Sequence, residues 1–252
     1  MKNNSYMPIL VAITVVCVIL GAFFHIGGFL LRANMDLFNL KQGHDAEFSE
    51  EYTGVKDIEI DVDMSEMTIK SGDKLAISFK GIEDLKPVVT QDGDKLEIKQ
   101  KGKVKPLHLR PNTTYSEIIL TVPEDVTIGT MDMEMDMGNL TVEDIKVSDK
   151  LSVDANMGSV EIKSINAPTL DLSADMGSID VKKSAFTDLT VEADMGSVDI
   201  ESDEDISEYS MDLSADMGSI NVFGKDTNGD YSQSGSNGSI KADLAMGSLT
   251  IK

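Results

Sequence analysis

From Val55 onward, apolar and polar residues alternate in short runs, a pattern typical of β-strands that bury one face. Val55, Ile58 and Ile60 open the pattern, and the run 118–122 continues it after turns rich in Gly and Asp such as 91–94. No amphipathic helical pattern follows residue 55. The sequence therefore predicts an all-β domain over residues 55–252.

A different pattern precedes this domain, because Pro8 to Leu31 form a run without a formal charge. As a helix, the run would be about 36 Å long at about 1.5 Å per residue, enough to cross a hydrocarbon core of about 30 Å. We therefore predict a short tail at 1–7, a transmembrane helix at 8–31 and a polar stalk at 32–54. A cleaved signal peptide is the alternative, although its apolar region is normally about 7–15 residues and ends at a small-residue cleavage site.

The apolar run contains the single cysteine, Cys17, and Val16 stands where a lipoprotein requires a small residue. We interpret Cys17 as an apolar residue of the helix without chemistry. Lys and Arg are almost equally frequent on the two flanks, so the positive-inside rule does not decide the orientation. The short tail favours a single-pass cell-membrane protein with its large domain outside. The alternative is a regulatory module that faces the cytoplasm.

Residues 131–252 contain an internal repeat with the pattern Met-Gly-Ser-apolar-x-apolar. Its copies begin at Met137, Met157, Met176, Met195, Met217, Asn237 and Met246, of which the last two open degenerate copies. The glycines that follow are Gly138, Gly158, Gly177, Gly196, Gly218, Gly238 and Gly247, spaced by 20, 19, 19, 22, 20 and 9 residues. A period near 20 residues predicts a stack of similar structural units.

Each repeat is predicted to hold two strands joined by a corner. Ala174 and Met176 share one parity along the chain, whereas Ile179 and Val181 take the other. Because alternate side chains of a strand face opposite ways, this change requires a bulge or a corner, for which Gly supplies the backbone angles. A second corner is expected in the variable segment 182–188. Rungs that turn twice and stack about 4.8 Å apart favour a parallel β-solenoid over an antiparallel meander of hairpins, which is the alternative.

Two columns of side chains follow from such a stack. The repeated methionines share the parity of the inward Leu and Ala, so we expect a core stack, with a soft-metal site as the alternative. One residue earlier stands a mostly acidic column, which we expect to face solvent: Asp136, Asn156, Asp175, Asp194 and Asp216. Its acids are a weak candidate for calcium binding, although the nonapeptide calcium repeat is absent. We predict no specific calcium site there.

The composition narrows the possible functions. With 44 acidic and 22 basic residues, the formal charge is −22, which argues against nucleic acid as a partner because that binding depends on neutralising phosphates. One cysteine excludes an intrachain disulfide and a thiolate zinc cluster, and His25, His44 and His108 are far apart. The acids form regular columns and not the unique pair that glycoside hydrolases use. We therefore predict no catalytic residues and no cofactor.

The strands that end at 118–123, followed by tandem Gly-centred repeats, resemble the bacterial putative-adhesin domain, a large family of unknown function. The resemblance covers about residues 55–252, and together with the short anchor it resembles the LiaG-type envelope proteins of Gram-positive bacteria. It implies a right-handed β-helix, an envelope location and no established catalytic residues. Where such repeats often contain Asn-Gly-Asp, this chain has Met-Gly-Ser, so a polar role of that corner is not carried over.

The function that we expect is that of a noncatalytic, membrane-anchored envelope protein. Its acidic β-solenoid would bind a cell-wall component or an envelope-stress regulator. A carbohydrate-active enzyme on the same scaffold is the alternative, and it would require a unique cluster of polar residues that interrupts the repeat. Arg110 lies outside the regular repeats and forms no such cluster in the sequence.

Overall fold

The computed structural model of the protein describes residues 45–102, 116–227 and 229–252. The predicted tail at 1–7, the predicted transmembrane helix at 8–31 and the three histidines lie outside these residues. Within them, no helix is both long and apolar enough to span a membrane. The chain divides into two units, 1–42 and 43–252, and the structure described below is that of the second.

The second unit consists of β-strands and two short 3-10 turns in its described residues, which confirms the prediction of an all-β domain. The strands are β1 (Asp45–Glu51), β2 (Asp57–Gly72), β3 (Ala76–Ile82), β4 (Val88–Asp92), β5 (Lys95–Gln100), β6 (Ser116–Pro123), β7 (Ile128–Glu143), β8 (Val147–Lys163), β9 (Thr169–Ser184), β10 (Asp188–Ser202), β11 (Ser210–Val222), β12 (Lys225–Thr227), β13 (Asp230–Gln233) and β14 (Ser239–Ile251). The 3-10 turns are Glu83–Leu85 and Ile206–Glu208. β1 lies within the segment predicted to be a polar stalk, and it pairs antiparallel with β3.

The main stack contains seven parallel strands in the spatial order β2, β7, β8, β9, β10, β14 and β11. Neighbouring strands are in register, so that Gly177 of β9 stands between Gly158 of β8 and Gly196 of β10. Equivalent residues of successive repeats therefore lie side by side. This parallel arrangement is that of a β-solenoid and not that of an antiparallel meander.

The last repeat departs from sequential order. β14 lies between β10 and β11 and pairs parallel with both, so that Gly247 stands between Gly196 and Gly218. The residues that connect β11 to β14 include β12 and β13, which both pair antiparallel with the outer side of β11. The final strand of the chain is thus an internal strand of the stack.

Both ends of the stack are covered by additional strands. On its outer side, β2 pairs with β5 over Asp57–Val62 and with β6 over Glu66–Gly72. At the other end, β11 pairs with β13 over Met211–Ser214 and with β12 over Ile220–Val222. In the described residues, the longest stretches without an outer strand partner are the corners, 63–65 in β2 and 215–219 in β11. The edges of the described sheet are therefore the short strands β1, β4, β12 and β13, and short edge strands limit pairing with another chain.

The core lies on the inner side of the two arms of each long strand. In β9, Leu172 and Ala174 of the first arm and Ile179 and Val181 of the second are buried. The equivalent residues of the other strands join them in one hydrophobic cluster. The second corner is made by a residue in the left-handed conformation, such as Lys183 with φ of 49°. This confirms that the variable segment contains a second corner.

Candidate functional site

The first corner of each repeat interrupts the alternation of a long strand at the residue before the methionine, which is an aspartate in most of the strands. Between β9 and β10, the ladder pairs Ala174 with Ala193 and Met176 with Met195. Asp175 stands between these pairs without a ladder partner of its own. The extra residue of the corner is therefore the aspartate, which precedes the methionine, and not the glycine that follows it.

This placement exposes the methionines, so the prediction of a buried core stack is wrong. Their exposed fractions are 36% for Met137, 40% for Met157, 43% for Met176, 41% for Met195, 39% for Met246 and 65% for Met217. The sequence contained part of the signal, because Ala174 and Ile179 are both buried and stand an odd number of positions apart. One extra residue must lie between them, and the parity pattern alone cannot assign it to Asp175.

The methionines form one continuous row across the stack. Their order is Met64, Met137, Met157, Met176, Met195, Met246 and Met217, each paired in register with the next. Met64 is half-buried, and the other six are exposed. At a strand spacing of about 4.8 Å, the row is about 29 Å long. We call these seven residues the methionine column.

The glycines next to the methionine column pack backbone against backbone. Gly177 has a φ of +152°, and a Cβ on it would overlap the carbonyl group of Gly158. Gly158, Gly196 and Gly247 face the same obstacle from the preceding glycine in space. The predicted need for glycine at this corner has two causes: a backbone angle that other residues avoid, and an approach that leaves no room for any side chain.

Gly238 was predicted to be a corner, but the structure places it elsewhere. It precedes β14, whose corner is Gly247, and its closest neighbours are the carbonyl oxygen of Thr187 and the ring of Tyr209. The Tyr209 hydroxyl donates a hydrogen bond of 2.7 Å to the carbonyl oxygen of Phe186, and the two rings pack edge to face. Gly238 thus permits close packing on a buried aromatic pair. The short spacing of 9 residues arises because both glycines belong to one rung.

The acidic column faces solvent as predicted, and all five of its members are exposed: Asp136, Asn156, Asp175, Asp194 and Asp216. Its order in space differs from the sequence, since β14 places Ala245 between Asp194 and Asp216. Asn156 Nδ2 donates a hydrogen bond of 2.8 Å to Asp136 Oδ1. Among these five residues, only Asp175 and Asp194 are therefore neighbouring carboxylates.

The structure does not gather the acidic column into a compact cation site. In the described part of the chain, no group of three or more His, Cys, Asp or Glu side chains is arranged to hold a metal ion. Calcium requires 6–8 oxygen ligands around one ion, and the weak candidate set, which was Asp136, Asp175, Asp194 and Asp216, is spread along a line. That calcium has no specific site here stays a prediction.

Charges on the second arm are paired, whereas those at the first corner are not. The Lys182 Nζ lies 2.9 Å from Glu161, and this hydrogen bond raises the pKa of Lys182. Lys252 likewise lies 3.3 Å from Asp199. Across residues 45–102, 116–227 and 229–252, no Lys or Arg nitrogen lies within 4.0 Å of a carboxylate of the acidic column. We call the surface at the first corners the corner face. It consists of the methionine column, the acidic column and the residues that follow the corner glycines. It combines exposed thioethers with negative charges that no Lys or Arg neutralises in the described residues.

The family model described as Toastrack DUF4097 matches residues 55–252, which begin where the strand pattern begins. No curated protein matches the chain. A solved structure named a putative cell adhesion protein, from Clostridium sporogenes, is similar with 18% identity and a TM-score of 0.47, over 83% of this chain and 99% of that one. A putative adhesin from Bacteroides fragilis has 10% identity and a TM-score of 0.38, over 83% and 97%. A putative lipid binding protein from Parabacteroides distasonis has 16% identity and a TM-score of 0.28, over 83% and 94%.

Proposed function

Since the chain belongs to the Toastrack DUF4097 family, we propose that it is a noncatalytic, membrane-anchored envelope protein that acts by binding at the corner face. The anchor is the helix predicted at 8–31, and the solenoid winds right-handed. The domain from Val55 onward lies outside the cell, in keeping with the envelope location that the sequence resemblance implies. Its ligand or partner belongs to the cell envelope.

The observation that carries the proposal is the exposure of the methionine column along the stack. In the described residues, the exposed large apolar side chains are Val88, Phe223 and six members of this column. Scattered exposed apolar residues need no explanation, but a contiguous row of them marks a site of interaction. Solenoids present such rows as extended binding surfaces, because each rung adds one equivalent residue.

The regularity of the corner face favours binding over catalysis. A catalytic site requires a unique arrangement in which a nucleophile, a general acid or base and a stabilising group meet. Here the same residues recur on successive strands, and the second-arm carboxylates of Glu161 and Asp199 are occupied by ion pairs with lysines. Repetition of this kind produces many equivalent weak sites along one line, which suits binding.

Two cysteine variants test the location of the domain and the use of the corner face. Both are made with Cys17→Ala, so that the introduced thiol is the only one. Ser248→Cys lies in the corner face, and Lys241→Cys lies on the first arm of the same strand; both positions are exposed. In intact cells that keep their wall, a small membrane-impermeant maleimide should label Lys241→Cys fully and Ser248→Cys more slowly, because an envelope ligand or partner covers the corner face.

In detergent-purified protein, both thiols should react at similar rates. Labelling of Lys241→Cys only after lysis would place the domain in the cytoplasm. Equal rates for the two thiols in cells would show that the corner face is not covered, and the proposed binding surface would be wrong.

A further inference from the structure

The methionine column has a chemistry that packing does not require. Six of its seven residues are exposed, so they do not fill the core. The chain does use methionine for that purpose elsewhere, since Met131, Met133 and Met135 are buried in β7. The other corner positions vary from strand to strand, with Asp, Asn or Ala before the methionine and Ser or Asn after the glycine. The methionine itself recurs on all seven strands of the stack.

A thioether is a soft, neutral ligand that selects Cu(I) over hard cations such as calcium and magnesium. The in-register pairing places successive methionines about 4.8 Å apart along the column. A metal–sulfur bond is about 2.3 Å long in zinc thiolates, so two such bonds to one ion span nearly the same distance. Methionine side chains are also flexible enough to adjust to an ion between them.

The acidic column supplies the charge that neutral thioethers lack. Asp175 precedes Met176 and Asp194 precedes Met195, and both carboxylates are exposed. The structure shows no Lys or Arg paired with either of them in the described residues. Their field attracts cations to the corner face, and the effect weakens with salt because the Debye length is about 8 Å at physiological ionic strength. A surface built only for an apolar partner would not need this charge.

We propose that the methionine column binds soft monovalent cations, Cu(I) or Ag(I), between neighbouring strands, with Met157, Met176, Met195 and Met246 as the central ligands. The proposal rests on the proposed function, because it names the ligand class of the same corner face. The ions are bound by two or more sulfurs from adjacent strands, and the carboxylates of Asp175 and Asp194 balance their charge.

The test uses the full chain in detergent with Cys17→Ala, which removes the only thiol. Ag(I) is titrated by calorimetry, and Cu(I) is titrated anaerobically against a chromophoric chelator. The corner variant is Met137→Leu/Met176→Leu/Met246→Leu, which keeps the apolar volume and leaves no two neighbouring sulfurs in the methionine column. The matched control is Met131→Leu/Met133→Leu/Met135→Leu, which removes the same number of buried sulfurs. Volume-conserving swaps of this kind are tolerated in folded proteins.

For each ion, we expect the buried control to bind with the same affinity as the parent protein. The corner variant should bind each ion at least tenfold more weakly than the parent. Asp175→Asn/Asp194→Asn should weaken binding less, and this loss should shrink as sodium chloride is raised. X-ray absorption of the copper complex should show sulfur ligands. Equal affinity of the corner variant and the parent, or no binding by the parent, would overturn the proposal.

The maleimide assay separates this inference from the proposed function. If Ser248→Cys is protected in cells but the parent protein binds no Ag(I) or Cu(I), the corner face binds a different class of ligand and the metal proposal is wrong. If the corner variant loses both the metal and the protection, the ion is the ligand or is required for it, as proposed. If the thiol is unprotected and no metal binds, both proposals are wrong.

Discussion

In the amino-terminal part of the domain, neighbouring strands have different sequences, whereas in the repeat stack they have nearly the same one. Between β2 and β5, this difference places Lys95 beside Asp57 and Lys99 beside Asp61. Both lysines also form ion pairs with Glu59 of β2. In the stack, the register instead places Met176 beside Met195 and Asp180 beside Asp199. Because equivalent residues of the repeats lie side by side, each kind of interaction recurs along the stack. This holds for apolar packing, for backbone contact and for repulsion between like charges.

Glycines show the same contrast. Gly93, in the turn between β4 and β5, has a φ of +63°, and a Cβ there would have no neighbour within 4 Å. Gly177 in the stack has both an unusual φ and the backbone of Gly158 against it. Gly93 is therefore required only by its backbone angle. Gly177 is required by its backbone angle and also by the close backbone of the neighbouring strand.

The largest effect is expected from Gly177→Val. The branched side chain would overlap the Gly158 carbonyl group and occupy a backbone angle that costs about 1–3 kcal/mol by itself. We expect a loss of more than about 3 kcal/mol in the free energy of unfolding, or failure to fold. Ser173→Val, on the outer side of the same strand, should change stability by no more than about 0.5 kcal/mol.

The same experiment on Gly93 sharpens the comparison. Gly93→Ala should cost about 1–2 kcal/mol, the strain of a left-handed residue without a clash. The measurement is chemical denaturation of the full chain in detergent for all three variants. Similar losses for Gly177→Val and Ser173→Val would remove the argument that the stack requires glycine at its corner.

A gain in stability is expected at β2, where the amino-terminal strands meet the repeat stack. Ser65 of β2 stands at the glycine position, paired with Gly138, and its buried hydroxyl makes no hydrogen bond in the described structure. An unsatisfied buried hydroxyl costs about 1–3 kcal/mol, so Ser65→Ala should raise the free energy of unfolding by about 1 kcal/mol. Ser65→Gly should gain less, because glycine adds conformational entropy to the unfolded chain. A loss of stability in Ser65→Ala would show that the hydroxyl has a partner.

A smaller effect tests the position of β14. Asp175→Asn removes one of two neighbouring carboxylates and should stabilise the fold by about 0.2–1 kcal/mol. Asp216→Asn should change little, because Ala245 separates Asp216 from Asp194. Sodium chloride should reduce the difference between the two variants. Equal gains would mean that Asp194 and Asp216 are neighbours and that the strands stack in sequential order.

Thermal unfolding of the full chain in detergent tests whether the acidic column binds calcium. Millimolar calcium should add no more stability than magnesium at matched ionic strength, because the exposed acids are spread along a line. A calcium-specific rise of several degrees, abolished by Asp194→Asn, would make the acidic column a metal site.

The smallest effect concerns pH and the amino-terminal ion pairs. The hydrogen bond from Lys95 lowers the pKa of Glu59. The ionised carboxylate therefore stabilises the fold at neutral pH, and this contribution is lost as the pH falls through the folded-state pKa, below the ordinary Glu value of about 4.3. Glu59→Gln should be less stable than the parent at neutral pH and should lose less on acidification. Glu83→Gln, in the 3-10 turn after β3, changes an exposed carboxylate that forms no ion pair in the described residues, and it should follow the parent curve.

Much of the candidate site was predictable, and one step was not. The acids could be placed outside because they directly follow an inward residue such as Ala174. The corner could be located because a glycine stands where the parity changes. The exposure of Met176 could not be derived, since the extra residue of the corner can precede or follow it without changing the parity of Ile179. Packing of the arms on the shared core decides between these two arrangements.

The sequence by itself determined the strands, the period near 20 residues and the need for glycine at the corner, because these depend on alternation and on local backbone stereochemistry. The order of the strands in the stack, in contrast, does not follow from the local sequence. Nearly identical repeats offer nearly identical partners, so the local sequence of β14 suits the end of the stack as well as its interior. The antiparallel pairing of β12 and β13 on the outer side of β11, and the packing of Gly238 against Tyr209, accompany its placement between β10 and β11. A repetitive sequence does not determine the order of its strands, and contacts between distant parts of the chain decide it.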